Sequence, residues 1–184
     1  NPYRTDDEKE KSILVRPEYR ALAREAATKS MVLLKNDAVL PLNPQQEIVV
    51  FGALANDPGQ MTGAWAIGAQ ESDCVSLVQA LDAQGIRYVY HPGIVDGIVA
   101  TAEINQAAES ADVVILAIGE QKEESGEAAS KAEISLPAIQ LELAETLLRT
   151  GKPVVAVLFN GRPLAIPTVA EQVPAILEAW HPGI

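Results

Sequence analysis

The feature that most constrains the fold is an uninterrupted apolar run, Val113–Gly119, which begins after Asp112 and ends in glycine. A half-exposed strand alternates apolar and polar residues, whereas this run has no polar position. Such a strand must be buried on both faces, as in a parallel sheet that helices cover on each side. The run therefore predicts an α/β fold with Val113–Gly119 as a central strand.

Other apolar runs alternate along the chain with segments of helical spacing. The further predicted strands are Ile48–Gly52, Ile86–Tyr90, Pro153–Phe159 and Ala175–Trp180, with Met31–Leu34 as a short candidate. One predicted helix begins at Pro17, and the others are Val75–Ala83, Ile98–Ala111 and Ser135–Thr150. This alternation indicates right-handed βαβ units and a mostly parallel sheet flanked by helices on both faces. We therefore expect a three-layer α/β sandwich of flavodoxin-like arrangement.

The charge of the chain excludes several classes of partner. The sequence has 25 acidic and 14 basic residues and a net charge of −11, which would repel nucleic acids and anionic membranes. We expect neither as a partner. The single cysteine and two histidines show no metal-ligand spacing, and the glycine-rich fingerprint of dinucleotide-binding proteins is missing. We therefore expect no metal and no cofactor.

The loop after the central strand is the strongest candidate for chemistry. Gly119–Lys131 places four glutamates and two lysines in thirteen residues, at the strand end where ligands gather in such sheets. Most loops between a strand and a helix have only about two to six residues. Small residues flank Glu127 and leave room for a ligand near its carboxylate. A carboxyl near a leaving oxygen is what glycosidic cleavage requires of a general acid, although composition alone fits a solvated acidic loop equally well.

Trp65 is a second candidate for ligand contact. It lies between Gly63 and Gly68, outside every predicted helix and strand. A tryptophan in such a segment serves either as a sugar-stacking platform or as an anchor for the loop. The sequence leaves both interpretations open.

The order of motifs along nearly the whole chain resembles the second domain of glycoside hydrolase family 3. The matching segments are Leu22–Asn36, Leu40–Leu42, Gly119–Glu120, Gly126–Lys131, Leu136–Pro137, Gln140, Gly151–Val155, Asn160–Leu164, Ala179–Trp180 and Pro182–Gly183. The connector Asn1–Arg4 resembles the exit from a preceding barrel domain. The loop around Glu127 is similar to that of bacterial periplasmic β-glucosidases.

The resemblance implies that the chain is the second of two domains of a retaining β-glucosidase, and that β-xylosides are further substrates of such an enzyme. Such an enzyme places an aspartate nucleophile on an N-terminal (β/α)8-type barrel and takes its acid/base glutamate from the second domain. Glu127, nine residues before Leu136, is the first choice for this acid/base, and Glu120 is the runner-up. Glu120 is alternatively a structural partner of a loop amide or of Lys131, which stands where the family more often has arginine.

The resemblance also divides the chain. We expect residues 1–16 to be a linker from the missing barrel and residues 17–184 to be the second domain, truncated at its C-terminal end. The partners would be the barrel and a β-glucoside or oligosaccharide substrate, and the location periplasmic or secreted. Alone, the chain should be inactive, and its loop should be mobile from about Gln121 to Lys131.

Two alternative functions remain. The domain could bind carbohydrate or act as a scaffold without catalysis, as in a family member that has lost its acid/base. A flavodoxin-like domain that binds a nucleotide or flavin is disfavoured, because Asp57 would repel a phosphate after the first strand.

Overall fold

The computed structural model of the chain describes residues 6–14, 16–66 and 68–183. The strands are β1 (Val32–Asn36), β2 (Ile48–Phe51), β3 (Tyr88–His91), β4 (Ile94–Val95), β5 (Ile98–Val99), β6 (Val113–Gly119), β7 (Val154–Phe159) and β8 (Ala175–Glu178). The helices are α1 (Asp7–Leu14), α2 (Pro17–Ser30), α3 (Leu77–Ala83), α4 (Thr101–Ser110), α5 (Ala138–Arg149) and α6 (Pro167–Gln172). Within the described ranges, no helix has the length and apolar content needed to cross a bilayer.

Six strands form one sheet in the order β1-β8-β7-β6-β2-β3. All neighbouring pairs are parallel except β1 and β8, which are antiparallel at one edge. The mostly parallel sheet is therefore confirmed, and every residue of β6 is buried in it. The next strand of this sheet after β2 along the chain, β3, lies on one side of β2, and the strand after that, β6, lies on its other side. Ligands in open α/β sheets collect in the crevice at such a reversal of strand order, which here lies between β2 and β6.

Helices cover both faces of this sheet, as the sequence predicts. On one face, apolar side chains of α4, α5 and α6 pack on the strands, among them Ile104, Leu143 and Val169. On the other face, Val78 of α3 packs on Val50 and its neighbours. The two clusters fix the sheet from both sides and leave its carboxyl edge, with the loops that follow the strands, as the place for a site.

Several local predictions differ from the structure. Within the predicted linker, Asp7–Leu14 is helical, whereas the Asn1–Arg4 connector lies outside the described residues. The predicted helix Ile98–Ala111 starts only at Thr101, because β4 and β5 pair as a hairpin whose turn residues Asp96 and Gly97 both have positive φ. Helix α6 was not predicted at all.

Candidate active site at the carboxyl edge of the sheet

The candidate loop leaves the sheet at Gly119, whose backbone only glycine can adopt here. Its φ is +143°, and an added Cβ would lie 1.9 Å from the carbonyl oxygen of Phe159 on β7. The Gln140 amide fixes the same residue from α5, accepting from its N–H at 2.9 Å and donating to its carbonyl at 3.0 Å. This exit holds the next residue, Glu120, at a fixed position on the strand end.

Glu120 lies beneath the loop as a buried ion-pair partner. Its side chain has no exposed surface, its Oε1 is 3.1 Å from Lys131 Nζ, and its Oε2 is 3.2 Å from Arg162 Nε. Lys131 was offered from the sequence as a structural partner of Glu120, and the two side chains do form an ion pair, while the catalytic role of either glutamate stays a prediction. Both carboxylate oxygens are occupied by cations of the same chain, so neither is presented to a ligand.

The first turn of the loop is held by Glu124. Residues Lys122–Glu124 form a short 3₁₀ helix, and Glu124 accepts from the Gln121 N–H and from Lys131 Nζ, both at 2.9 Å. Partial burial alone would raise the pKa of Glu124, but the two donors, together with the positive charges of Lys131 and Arg162, lower it. The Glu124 and Glu120 carboxylates in turn raise the pKa of Lys131. At the base of the loop, the positive charge of Lys131 therefore lies between the carboxylates of Glu120 and Glu124.

Arg162, three residues beyond the end of β7, adds a further positive charge to this group of charged side chains, and it was not assigned a role from the sequence. Besides Glu120, its guanidinium Nη2 donates to the carbonyl oxygens of Glu124 and Ala129. Its position in the sequence could have indicated this role, because Arg162 follows a buried strand at the same sheet edge as Glu120. A charged residue at that position needs a partner, and the acidic loop supplies it.

The backbone of Arg162 is anchored by two buried polar residues. Asn160 Nδ2 donates to the Arg162 carbonyl at 2.9 Å and to Glu178 Oε2 at 3.1 Å. Burial raises the pKa of Glu178, although the donors from Trp180 and Asn160 oppose the rise. The ends of β7 and β8 therefore support Arg162 from below.

Glu127 lies at the tip of the loop and differs from Glu120 in its exposure and in its polar contacts. It is exposed, and it makes no hydrogen bond or ion pair to any residue that the structure describes. It sits in a tight turn between Gly126, with φ of +99°, and Ala128, with φ of +59°, closed by a 3.4 Å bond from the Ala129 N–H to the Gly126 carbonyl. The expected mobility of Gln121–Lys131 stays a prediction.

Trp65 lies next to this tip. A Cβ added to Gly126 would be 2.8 Å from the Ala64 Cβ and 3.5 Å from the Trp65 Nε1, so the indole borders the turn that carries Glu127. Trp65 is 69% exposed, which it shares with Ile98 as the highest value among the large apolar residues that the structure describes. The structure thus brings two of the sequence-predicted site residues together, and separates both from Glu120, which is buried.

A small cavity lies in the crevice between β2 and β6. It measures about 110 Å³, and its lining includes Ala53, Asp57, Gln60, Gln121 and Gln140. The Asp57 carboxylate in this lining would repel a phosphate, as the sequence also indicates, so the cavity is poorly suited to a nucleotide. Glu127 and Trp65 stand outside the cavity, on the neighbouring surface.

Comparison with known proteins places these features in a family. Residues 31–184 match the model of the glycosyl hydrolase family 3 C-terminal domain. The chain is 34% identical over 192 residues to the periplasmic beta-glucosidase of Salmonella typhimurium, covering 90% of this chain and 25% of that protein. A beta-xylosidase of Formosa agariphila is also 34% identical, over 91% of this chain and 25% of its own length.

Solved structures give the same result. The beta-glucosidase of Listeria innocua, crystallised in complex with gluconolactone, superposes with a TM-score of 0.87 at 37% identity over 100% of this chain and 26% of that one. The chain therefore spans about a quarter of the length of the relatives it matches. The predicted domain start at residue 17 stays a prediction, since the family match begins at residue 31.

Proposed function

Because the chain belongs to glycoside hydrolase family 3, as the C-terminal domain of that family, we propose that it is the second domain of a retaining β-glucosidase in which Glu127 is the general acid and then the base. The enzyme would act on β-linked glucosides, and the xylosidase among the relatives supports β-xylosides as further substrates. The rest of this enzyme would be an N-terminal barrel that carries an aspartate nucleophile. We call the barrel joined to this chain the full-length enzyme.

The contrast between Glu127 and Glu120 carries the proposal. A general acid must reach the leaving oxygen of a bound substrate within hydrogen-bond distance. Glu120 is fully buried with both oxygens paired to cations, so it would have to break two ion pairs to do so. Glu127 is exposed at the loop tip, beside an exposed tryptophan. The geometry favours Glu127 as the proton donor and Glu120 as part of its support.

The division of labour follows from the chemistry of retention. The two carboxyl groups of a retaining glycosidase stand about 5–5.5 Å apart on either side of the anomeric carbon. Glu127 would protonate the leaving oxygen while the barrel's aspartate attacks, and would then take a proton from the water that releases the sugar. An exposed loop tip suits this task, because it can enter the mouth of a barrel.

This division predicts that the chain is inactive on its own. We expect the 184-residue chain to release no aglycone from an aryl β-glucoside, since it lacks the proposed nucleophile, and the full-length enzyme to be active. The measurement is the initial rate of the two proteins at equal molar concentration. Hydrolysis by the purified chain at a rate near that of the full-length enzyme would contradict the proposal.

We also propose that Trp65 contacts the substrate. Replacing Trp65 with alanine in the full-length enzyme should raise KM by about tenfold, the change expected when an aromatic contact of about 1.4 kcal/mol is lost. The kcat value should change little, because the residue would act in binding. Tyr19→Ala is a control, since Tyr19 is an exposed aromatic residue on α2. An unchanged KM would mean that Trp65 only anchors the loop.

The name of the Salmonella relative supports a periplasmic or secreted location for the full-length enzyme. Cell fractionation followed by immunoblotting tests this, and a purely cytoplasmic signal would overturn it.

A further inference from the structure

We propose that Arg162 is the positioning residue that sets where the Glu127 carboxyl lies, an inference that rests on the proposed function of Glu127. Arg162 would not touch the substrate. It would act through the loop, by fixing both sides of the turn from which Glu127 projects.

A single guanidinium nitrogen of Arg162 binds both sides of the loop. Arg162 Nη2 donates to the carbonyl of Glu124, just before the tip, and at 2.8 Å to the carbonyl of Ala129, just after it. Because one nitrogen binds both carbonyls, the two sides of the loop are drawn together at that point. Only the four residues 125–128, with Glu127 among them, remain beyond it.

Buried polar groups orient the Arg162 guanidinium. Its Nε lies 3.2 Å from the buried Oε2 of Glu120, and this carboxylate cannot rotate freely because its other oxygen binds Lys131. The Arg162 backbone is bound by Asn160, which is fully buried. The planar group is therefore fixed from two directions, and its N–H donors keep a rigid planar geometry that a lysine ammonium lacks.

Arg162 can be changed without disturbing the apolar core. Arg162 belongs to neither apolar cluster of the described residues, and its side chain is 21% exposed. Its replacement by lysine leaves the cores intact and keeps one positive charge near Glu120. What lysine loses is the nitrogen that joins the carbonyls of Glu124 and Ala129.

The test is Arg162→Lys in the full-length enzyme, assayed on two glucosides. A displacement of about 1 Å in a catalytic group can cost about 100-fold in rate, so kcat/KM for an alkyl β-glucoside, which needs protonation of its leaving group, should fall by about that factor. A 2,4-dinitrophenyl β-glucoside leaves without a proton and should lose far less. Arg149→Lys, a change at an exposed arginine of α5, is the control and should leave both rates unchanged.

Hydrogen exchange of the same variants tests the clamp without reference to catalysis. Arg162→Lys should speed exchange of the Ala129 amide, whose N–H donates to the Gly126 carbonyl, and leave β6 and β7 protected, with a melting temperature close to that of the unaltered enzyme. Unchanged exchange of the Ala129 amide, equal losses on both glucosides, or a general loss of protection would each overturn the proposal. If Glu127→Ala shows no dependence on the leaving group, the proposed function fails, while the exchange result still decides whether Arg162 holds the loop.

Discussion

Replacing Glu127 with alanine in the full-length enzyme should lower kcat/KM for an alkyl β-glucoside by about 10²- to 10⁴-fold, the range that a positioned general acid contributes. The physical reason is that a poor leaving group needs a proton as its bond to the anomeric carbon breaks. A 2,4-dinitrophenyl β-glucoside does not need this proton, so the first chemical step on that substrate should lose much less. The measurement is kcat/KM for both substrates with both proteins.

Glu123 provides the matched control for this experiment. It lies in the same loop and carries the same charge, its side chain is 62% exposed, and its ion-pair partner is the adjacent Lys122 at 3.9 Å. Glu123→Ala should leave both rates near those of the unaltered enzyme. If Glu127→Ala instead keeps near-normal turnover of the alkyl glucoside, Glu127 is not the acid, and a carbohydrate-binding or scaffold role without catalysis becomes the better account.

Replacing Gly119 with alanine should destabilise the domain by on the order of 3 kcal/mol, because backbone strain and overpacking each cost about 1–3 kcal/mol. The strain arises from a φ of +143°, and the overpacking from a Cβ placed 1.9 Å from the Phe159 carbonyl oxygen. Relief of this overlap would separate β6 from β7 where Glu120 and Arg162 meet. Urea-induced unfolding of the unaltered and variant chains measures the difference.

Gly85→Ala separates the two contributions. Gly85 follows α3 with a φ of +67°, but an added Cβ would meet no atom within 4 Å. This control should cost only the strain, about 1–2 kcal/mol. Equal losses for both variants would show that the close approach of β7 is not what requires glycine at position 119.

The strands at the centre of the sheet could be predicted closely from the sequence. The run Val113–Gly119 matches β6 residue for residue, and Pro153–Phe159 differs from β7 by one residue. Both strands are buried on two faces, so their sequences are apolar throughout and their ends are marked by polar residues or glycine. Here local sequence and tertiary burial require the same residues.

Short elements carried weaker signals. Helix α6 has only six residues, of which Val169 alone is buried, so its spacing shows almost no periodicity. The β4–β5 hairpin has two residues in each strand, and its best mark is the Asp96-Gly97 pair, a combination that favours tight hairpin turns. That pair was a usable signal which the helix prediction over Ile98–Ala111 overlooked.

The difference between the loop glutamates could not be derived from the loop itself. Composition places Glu120 and Glu127 in one acidic segment, and the small residues around Glu127 indicate room for a ligand but not that Glu120 is buried. What separates them is Arg162, which lies 42 residues further along the chain and meets Glu120 only because β6 and β7 are neighbours in the sheet. The identity of the buried carboxylate is therefore a consequence of strand order.

Azide added to the Glu127→Ala variant of the full-length enzyme tests the central claim most directly. Azide needs no general base to attack a glycosyl-enzyme intermediate, so it should restore turnover of the 2,4-dinitrophenyl glucoside and yield the β-glycosyl azide, which NMR identifies. Glu120→Ala should show at most a weaker rescue, because Glu127 is still present and only the support of its loop is lost. Rescue of Glu120→Ala with β-glycosyl azide as product, together with none for Glu127→Ala, would contradict the assignment.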